Sequence, residues 1–299
     1  MVKIFSQPSK RKTKAYILTE KIVFLRYSIK HYYKMRFFIL TVLCCYCGWC
    51  SAQNTVLRIK DSIDCKADRI DSDMFGNLYV IKNQIFLKYD SSGNFLGQYS
   101  HLKLGNIHSM NVSNHQKLFL FYRESGYFVL LNNFLAPIDD PVMLSRFLPG
   151  VYSLACPSYS QGFWCYDQIN RQLFRFDRFF VQTNESVFFT DYGRDFNPVQ
   201  LMEVDEKIVV LFDRKAGVLF FDKFGTFIKK LQIPTASEIQ ISGDLIFYNQ
   251  DNLLFVYNYQ TLDLRTYEVP VENIIQIVFN QNGFYLLRKD GMVFSTLIK

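Results

Sequence analysis

One short pattern returns six times along the chain and constrains its folding more than any other feature. Its best-marked part is an apolar strand: Asn77-Leu78-Tyr79-Val80, Lys117-Leu118-Phe119-Leu120, Gly162-Phe163-Trp164-Cys165, Lys207-Ile208-Val209-Val210, Asp244-Leu245-Ile246-Phe247 and Gly283-Phe284-Tyr285-Leu286. The steps from Leu78 through Leu118, Phe163, Ile208, Leu245 and Phe284 are 40, 45, 45, 37 and 39 residues. A second strand follows each of the first five copies and ends in Asp or Asn, as in Lys88-Tyr89-Asp90, Leu131-Asn132, Phe176-Asp177, Phe221-Asp222 and Tyr257-Asn258. Asp and Asn start tight turns because their side chains bond the backbone that follows. In the best copies a third strand comes next, and a further strand precedes each repeat: Arg69-Ile70, Ser109-Met110, Ser153-Leu154, Gln200-Leu201, Gln240-Ile241 and Gln276-Ile277. With 30 Phe and 19 Tyr against 14 Gly and 8 Pro, the composition also favours strands. No comparable window shows sustained helical periodicity.

Four short strands per ~40 residues, joined by short turns, are the signature of a propeller blade. The expected fold is an all-β, six-bladed β-propeller over residues 53–299. The sixth copy runs into the chain end at Lys299 without its outer strand. Thr55-Val56-Leu57-Arg58-Ile59 has no blade of its own, so this N-terminal strand is expected to complete the last blade and cover an open edge. Copies such as Phe75-Gly76-Asn77-Leu78-Tyr79-Val80, followed by Tyr89-Asp90-Ser91-Ser92-Gly93-Asn94-Phe95, resemble six-bladed propellers of the NHL/TolB-like kind over about residues 55–299. That resemblance implies an architecture and not an activity, since propellers host many unrelated functions. The Trp-Asp and Gly-His marks of WD40 blades are absent from the chain.

The segment ahead of the repeats has a different character. Met35-Arg36 precedes the apolar run Phe37 to Tyr46, and Ser51-Ala52 supplies small residues before Gln53. This is the grammar of a secretory signal peptide over 35–52, with cleavage expected after Ala52. The rival, an uncleaved anchor, is weakened because the run is shorter than the ~20 residues that span a bilayer. A lipid anchor is disfavoured by the bulky Leu43 and Trp49 before Cys44 and Cys50. Residues 1–34 fit badly before such a signal and read as a mis-assigned start, or else as a cytoplasmic extension. The protein is thus expected to be exported, to periplasm or cell surface, with no transmembrane span once mature.

Charge follows the same division. The formal net charge is +7, but residues 1–52 hold ten of the 34 basic and one of the 27 acidic side chains. The remainder is therefore net −2, which offers no electrostatic footprint for nucleic acid. The mature chain keeps Cys65, Cys156 and Cys165. In an oxidising compartment Cys156 and Cys165 could pair across a hairpin turning near Ser160-Gln161, the alternative being two buried thiols.

The strand before each apolar run is the innermost of its blade. Ile70, Met110, Leu154, Leu201, Ile241 and Ile277 are expected to pack between blades, which aims Arg69, Ser109, Ser153, Gln200, Gln240 and Gln276 at the central channel. That ring holds one cation and five neutral polar groups, with no carboxylate pair for acid–base work and no metal set. His108 and Asp71 are the candidate channel-mouth residues. His101, His115, Asp73, Asp139-Asp140 and the pair Asp191 and Asp195 read as loop or turn residues. No catalytic residue, metal or cofactor is indicated: G-x-S-x-G, HExxH, GxGxxG and P-loop patterns are all missing.

The reading favoured is a non-catalytic, exported interaction or scaffold module with a protein partner in the cell envelope. Its anchors would be aromatic residues in the long connections Phe134–Tyr152 and Phe188–Pro198. Two alternatives stand beside it. One is a propeller hydrolase or lyase acting on carbohydrate, peptide or lactone. The other is a small-molecule sensor binding through the glutamine ring.

Overall fold

The apolar run in each repeat is buried on both faces, and the architecture follows from that. Side chains of a strand alternate between faces, so Leu118–Tyr122 can be buried throughout only if both faces are covered. The computed structural model describes residues 55–147, 149–189, 196–233, 238–280 and 283–297. In it Leu118, Leu120 and Tyr122 pack with Tyr79, Ile81 and Phe86 of the preceding repeat. Phe119 and Phe121 point the other way and meet Phe163, Phe174 and Phe176 of the next. Six clusters of this kind lie between consecutive sheets, and one of them joins the last sheet to the first. The core is therefore distributed around a closed ring of six blades.

The blades cover residues 69–100, 109–143, 152–185, 200–231, 239–268 and 274–297, each a meander from an inner to an outer strand. The two helical turns among the described residues, Leu102–Leu104 and Leu144–Arg146, are single 3-10 turns between blades. None of these is long and apolar enough to cross a membrane. The leader expected at 35–52, the segment 1–34, and Asp191 and Asp195 lie outside the described residues.

The N-terminal strand does complete the last blade, with different bounds from those expected. Arg58–Asp64 pairs antiparallel with Met292–Leu297 as the outer strand of blade six. Thr55–Val56 instead runs parallel to Leu264–Glu268 and adds a fifth strand to blade five. Leu57, 1% exposed, separates the two pairings and fills the cluster between blades five and six.

The Asp and Asn residues that end the third strands act as turn staples. Asp177 Oδ1 accepts the N–H groups of Phe179 and Val181 at 2.8 and 3.0 Å. Asp222 does the same for Phe224 and Thr226, and Asn132 for Phe134 and Ala136. Asp90 repeats the pattern with Ser92 and Asn94. A carboxylate or amide oxygen holding the second and fourth following N–H groups fixes the bend without a buried side chain at its tip.

Candidate functional site

Because strands reverse direction at every turn, the inner-to-second and third-to-outer turns of all blades lie on one face of the ring. The second-to-third turns and the blade connections lie on the other. Five of the second-to-third turns carry exposed polar tips, Asn83, Arg123-Glu124, Arg214-Lys215, Asp251-Asn252 and Lys289-Asp290, while blade three exposes Ile169 there and the connections on this face expose Leu102, Val187 and Phe188. On the first face, the tips of blades two, three and four carry Phe134, Phe179 and Phe224, which are 87%, 68% and 57% exposed. Each stands two residues after its staple, and they recur at intervals of 45 residues. Phe75 occupies the same position in the inner turn of blade one, where Asp73 is the staple, and its ring meets His115 of blade two edge-on at 4.8 Å. Nothing in the turn requires an aromatic at this position, yet an exposed ring recurs at it in four blades. Sequence reasoning placed these turns but missed the tips; the signal was a Phe where turn chemistry favours Gly or polar residues.

On the same face a groove of about 860 Å³ runs between blades two and three. Its floor includes Phe119, Phe128 and Phe163, and Phe147 stacks on Phe180 with centroids 4.5 Å apart and planes 4° from parallel. The long connection after Phe134 supplies one wall, through Asp139, Asp140 and Arg146. The groove shares Asn111, Ser113, Tyr159 and Glu203 with a second cavity of about 380 Å³ on the ring axis.

The axial cavity is lined by Arg69, Ser109, Gln200, Gln240 and Gln276, together with Asp71. Ser153 is buried outside it, because an irregularity in the pairing between Tyr152 and Leu154 breaks the alternation there. Its carbonyl receives Arg123 Nε of blade two at 2.8 Å. The three glutamines are fully engaged. Gln200 of blade four accepts the Ile239 N–H at 2.7 Å and donates to the Ile239 carbonyl at 3.0 Å in blade five. Gln276 of blade six grips Ile70 of blade one in the same way, at 2.8 and 2.9 Å. Gln240 of blade five likewise pairs with both backbone groups of Phe279 in blade six. These amides stitch the ring at its inner edge and leave little to recognise a ligand. Replacing Gln276 by Leu should lower stability by about 1–3 kcal/mol, since both Ile70 backbone groups lose their partner. An unchanged urea midpoint would show that the amide does not hold this seam.

The charged residues of the cavity are mostly acidic: Asp71, Asp73, Glu203, Asp205 and Glu238 against Arg69. Arg69 donates to the His108 carbonyl of blade two at 2.9 Å and pairs with Glu238, at the head of blade five, at 2.5 Å. Its guanidinium thus ties blade one to blade five, past blade six. Asp71 accepts the Ser72 N–H at 2.9 Å, and burial, reinforced by Glu238 and Asp73, pushes its pKa up to about 7. Asp73 is saturated as a staple, taking Phe75 and Asn77 N–H groups, the Asn77 amide and the Tyr79 hydroxyl. Glu203 receives the Trp164 indole N–H at 3.1 Å, and burial pushes its carboxyl up as well.

The histidines do not converge. His108 sits against Phe121 beside the ring seam and is not part of the cavity lining. Burial, with Arg123 and Arg69 nearby, drives its pKa down to about 3, so it is neutral at ordinary pH. His115 lies in the groove and contacts Phe75. Among the described residues no three His, Cys, Asp or Glu side chains are grouped to hold a metal. Cys156 and Cys165 do not face each other. The register sets Cys165 opposite Ala155 and Cys156 opposite Trp164. One step of register sends the two thiols to opposite faces of blade three, Cys156 toward blade four and Cys165 toward blade two. Both are free and buried.

No protein-family model and no curated protein matches this sequence. Solved structures similar in fold include a streptogramin B lyase, with TM-score 0.53 and 11% identity, covering 81% of this chain and 86% of that one. BBS1N, crystallised in complex with ARL6DN, matches with TM-score 0.53 and 11% identity over 82% and 98% of the two chains. Virginiamycin B lyase from Staphylococcus aureus matches with TM-score 0.53 and 8% identity over 81% and 89%. At such identities the likeness is one of fold.

Proposed function

We propose that this chain is an exported, non-catalytic binding propeller that holds a protein partner of the cell envelope on its aromatic face. The observation that carries the reading is the row of exposed rings Phe134, Phe179 and Phe224 on three successive blades. Buried aromatic anchors supply much of the energy of protein association. The axial polar groups, by contrast, are engaged in holding the blades together, which argues against a channel organised around catalysis or around a glutamine-bound ligand. BBS1N with ARL6DN is a case in which a similar fold occurs in a protein complex. The repeat pattern Phe75 to Phe95 supports the finer NHL/TolB-like assignment, and the apolar run Phe37 to Tyr46 supports export.

The test is the triple variant Phe134→Ser, Phe179→Ser, Phe224→Ser. Affinity for the partner in native envelope extract should fall by about 100-fold or more, as expected when the three anchors together contribute ~3 kcal/mol or more. The urea midpoint should stay within about 0.5 kcal/mol of wild type because the rings are exposed. Undiminished recovery would overturn the face assignment. N-terminal sequencing of the native protein tests export separately: a first residue at Gln53 is expected, and a retained Met1 would remove that part of the reading.

A further inference from the structure

We propose that the groove and the axial cavity it joins receive one extended segment of the partner. A large apolar or aromatic side chain of that segment lies on Phe147 and Phe180, and a Lys or Arg side chain reaches past Tyr159 to Glu203 and Asp205. This deepens the interaction reading above and rests on it.

Continuity is the first support. Asn111, Ser113, Tyr159 and Glu203 border both cavities, so the two adjoin at these four side chains. Charge is the second. Arg69 already bonds Glu238, and no other Lys or Arg lines the axial cavity. Five carboxylates against one paired guanidinium leave the lining net acidic in composition. An acidic lining favours an entering cation over an anion, and Glu203, which receives the Trp164 indole and has Arg175 nearby, lies beside the exposed Asp205. Asp205 stands exposed at the entrance, on a hairpin turn whose two central residues, Asp205 and Glu206, have φ of 52° and 57°. Surface chemistry is the third. The stacked pair Phe147 and Phe180 continues the aromatic floor, and aromatic partners prefer such offset or edge contacts. Length is the fourth. From outer to inner strand the site crosses three strand spacings of ~4.8 Å, or about 14 Å, which matches four or five extended residues at ~3.3 Å each. A polypeptide in extended form can present an aromatic and a basic side chain at the two ends of such a span.

The experiment pans a phage library of random seven-residue peptides against the immobilised full-length chain. Enriched sequences should combine a Phe, Tyr, Trp or Leu with a Lys or Arg three to five positions away. Binding of the best peptide is then read by Trp164 emission in a full-length Trp49→Phe background, where Trp164 is the single tryptophan. It should weaken about tenfold or more, equivalent to ~1.4 kcal/mol, with Phe180→Ala and with Glu203→Gln. Glu203→Gln keeps an acceptor for the Trp164 indole, so the ring seam survives that substitution. Enriched peptides that are acidic, that ignore both substitutions, or that fail to appear above background overturn the inference. The face reading is scored apart from this, by a photo-crosslinking residue at position 179 in the native host. Crosslinked partner with no enriched basic–aromatic peptide would sink the segment and leave the face; neither result would sink both.

Discussion

Deletion of residues 55–64 is expected to abolish the cooperative native state. The deletion removes the outer strand of blade six, the strand added to blade five, and Leu57 between them. Loss of a fully buried Leu alone is worth about 2–5 kcal/mol. The ladder from Arg58 to Asp64 adds net hydrogen bonds of about 0.5–1.5 kcal/mol each. Together these losses are comparable with the whole 5–15 kcal/mol that holds a typical domain folded. The deletion also exposes Met292–Leu297 as an unpaired edge, a template for association between chains. Urea unfolding should lose its sigmoidal transition, and size exclusion should show aggregates. Leu57→Ala, a milder change, should keep the transition and move it to lower urea. A deleted chain that unfolds like wild type would show that contacts between blades close the ring unaided.

The second large effect is expected at Trp164. This side chain is fully buried between blades three and four and donates its indole N–H to Glu203. Trp164→Ala should cost about 3–5 kcal/mol through lost burial and the cavity left behind. Glu203, already raised by burial, would in addition lose a donor. Trp164→Phe separates the two contributions: it keeps most of the ring and removes only the N–H, so a loss of about 1–3 kcal/mol is expected. If Trp164→Ala shifts the midpoint no further than Trp164→Phe, packing across this seam is less tight than its burial implies.

What could be read from the sequence follows from how local each feature is. The runs Leu118–Tyr122 and Phe163–Asp167 announced strands covered on both faces, because five consecutive buried positions leave no solvent side. The staples at Asp90, Asn132, Asp177 and Asp222 were legible because their bonds reach only four residues ahead. Features that depend on register or on the neighbouring blade were not. The irregularity at Ser153 shifted its side chain off the axis, and a single step of pairing separated Cys156 from Cys165. Gln200, Gln240 and Gln276 were expected to face the channel as part of a polar ring. Their backbone partners lie 39 or 206 residues away, however, which no local pattern reveals.

The pairing of Arg58 with Leu297 sets a timetable for the protein's birth. Arg58–Asp64 waits for its partner Met292–Leu297 until more than two hundred further residues have been made, so blade six closes late in synthesis. Contacts that join the two ends of a chain are slow to form because a long loop must close first. Should the chain travel through a translocation pore, that delay would leave this blade open as it enters.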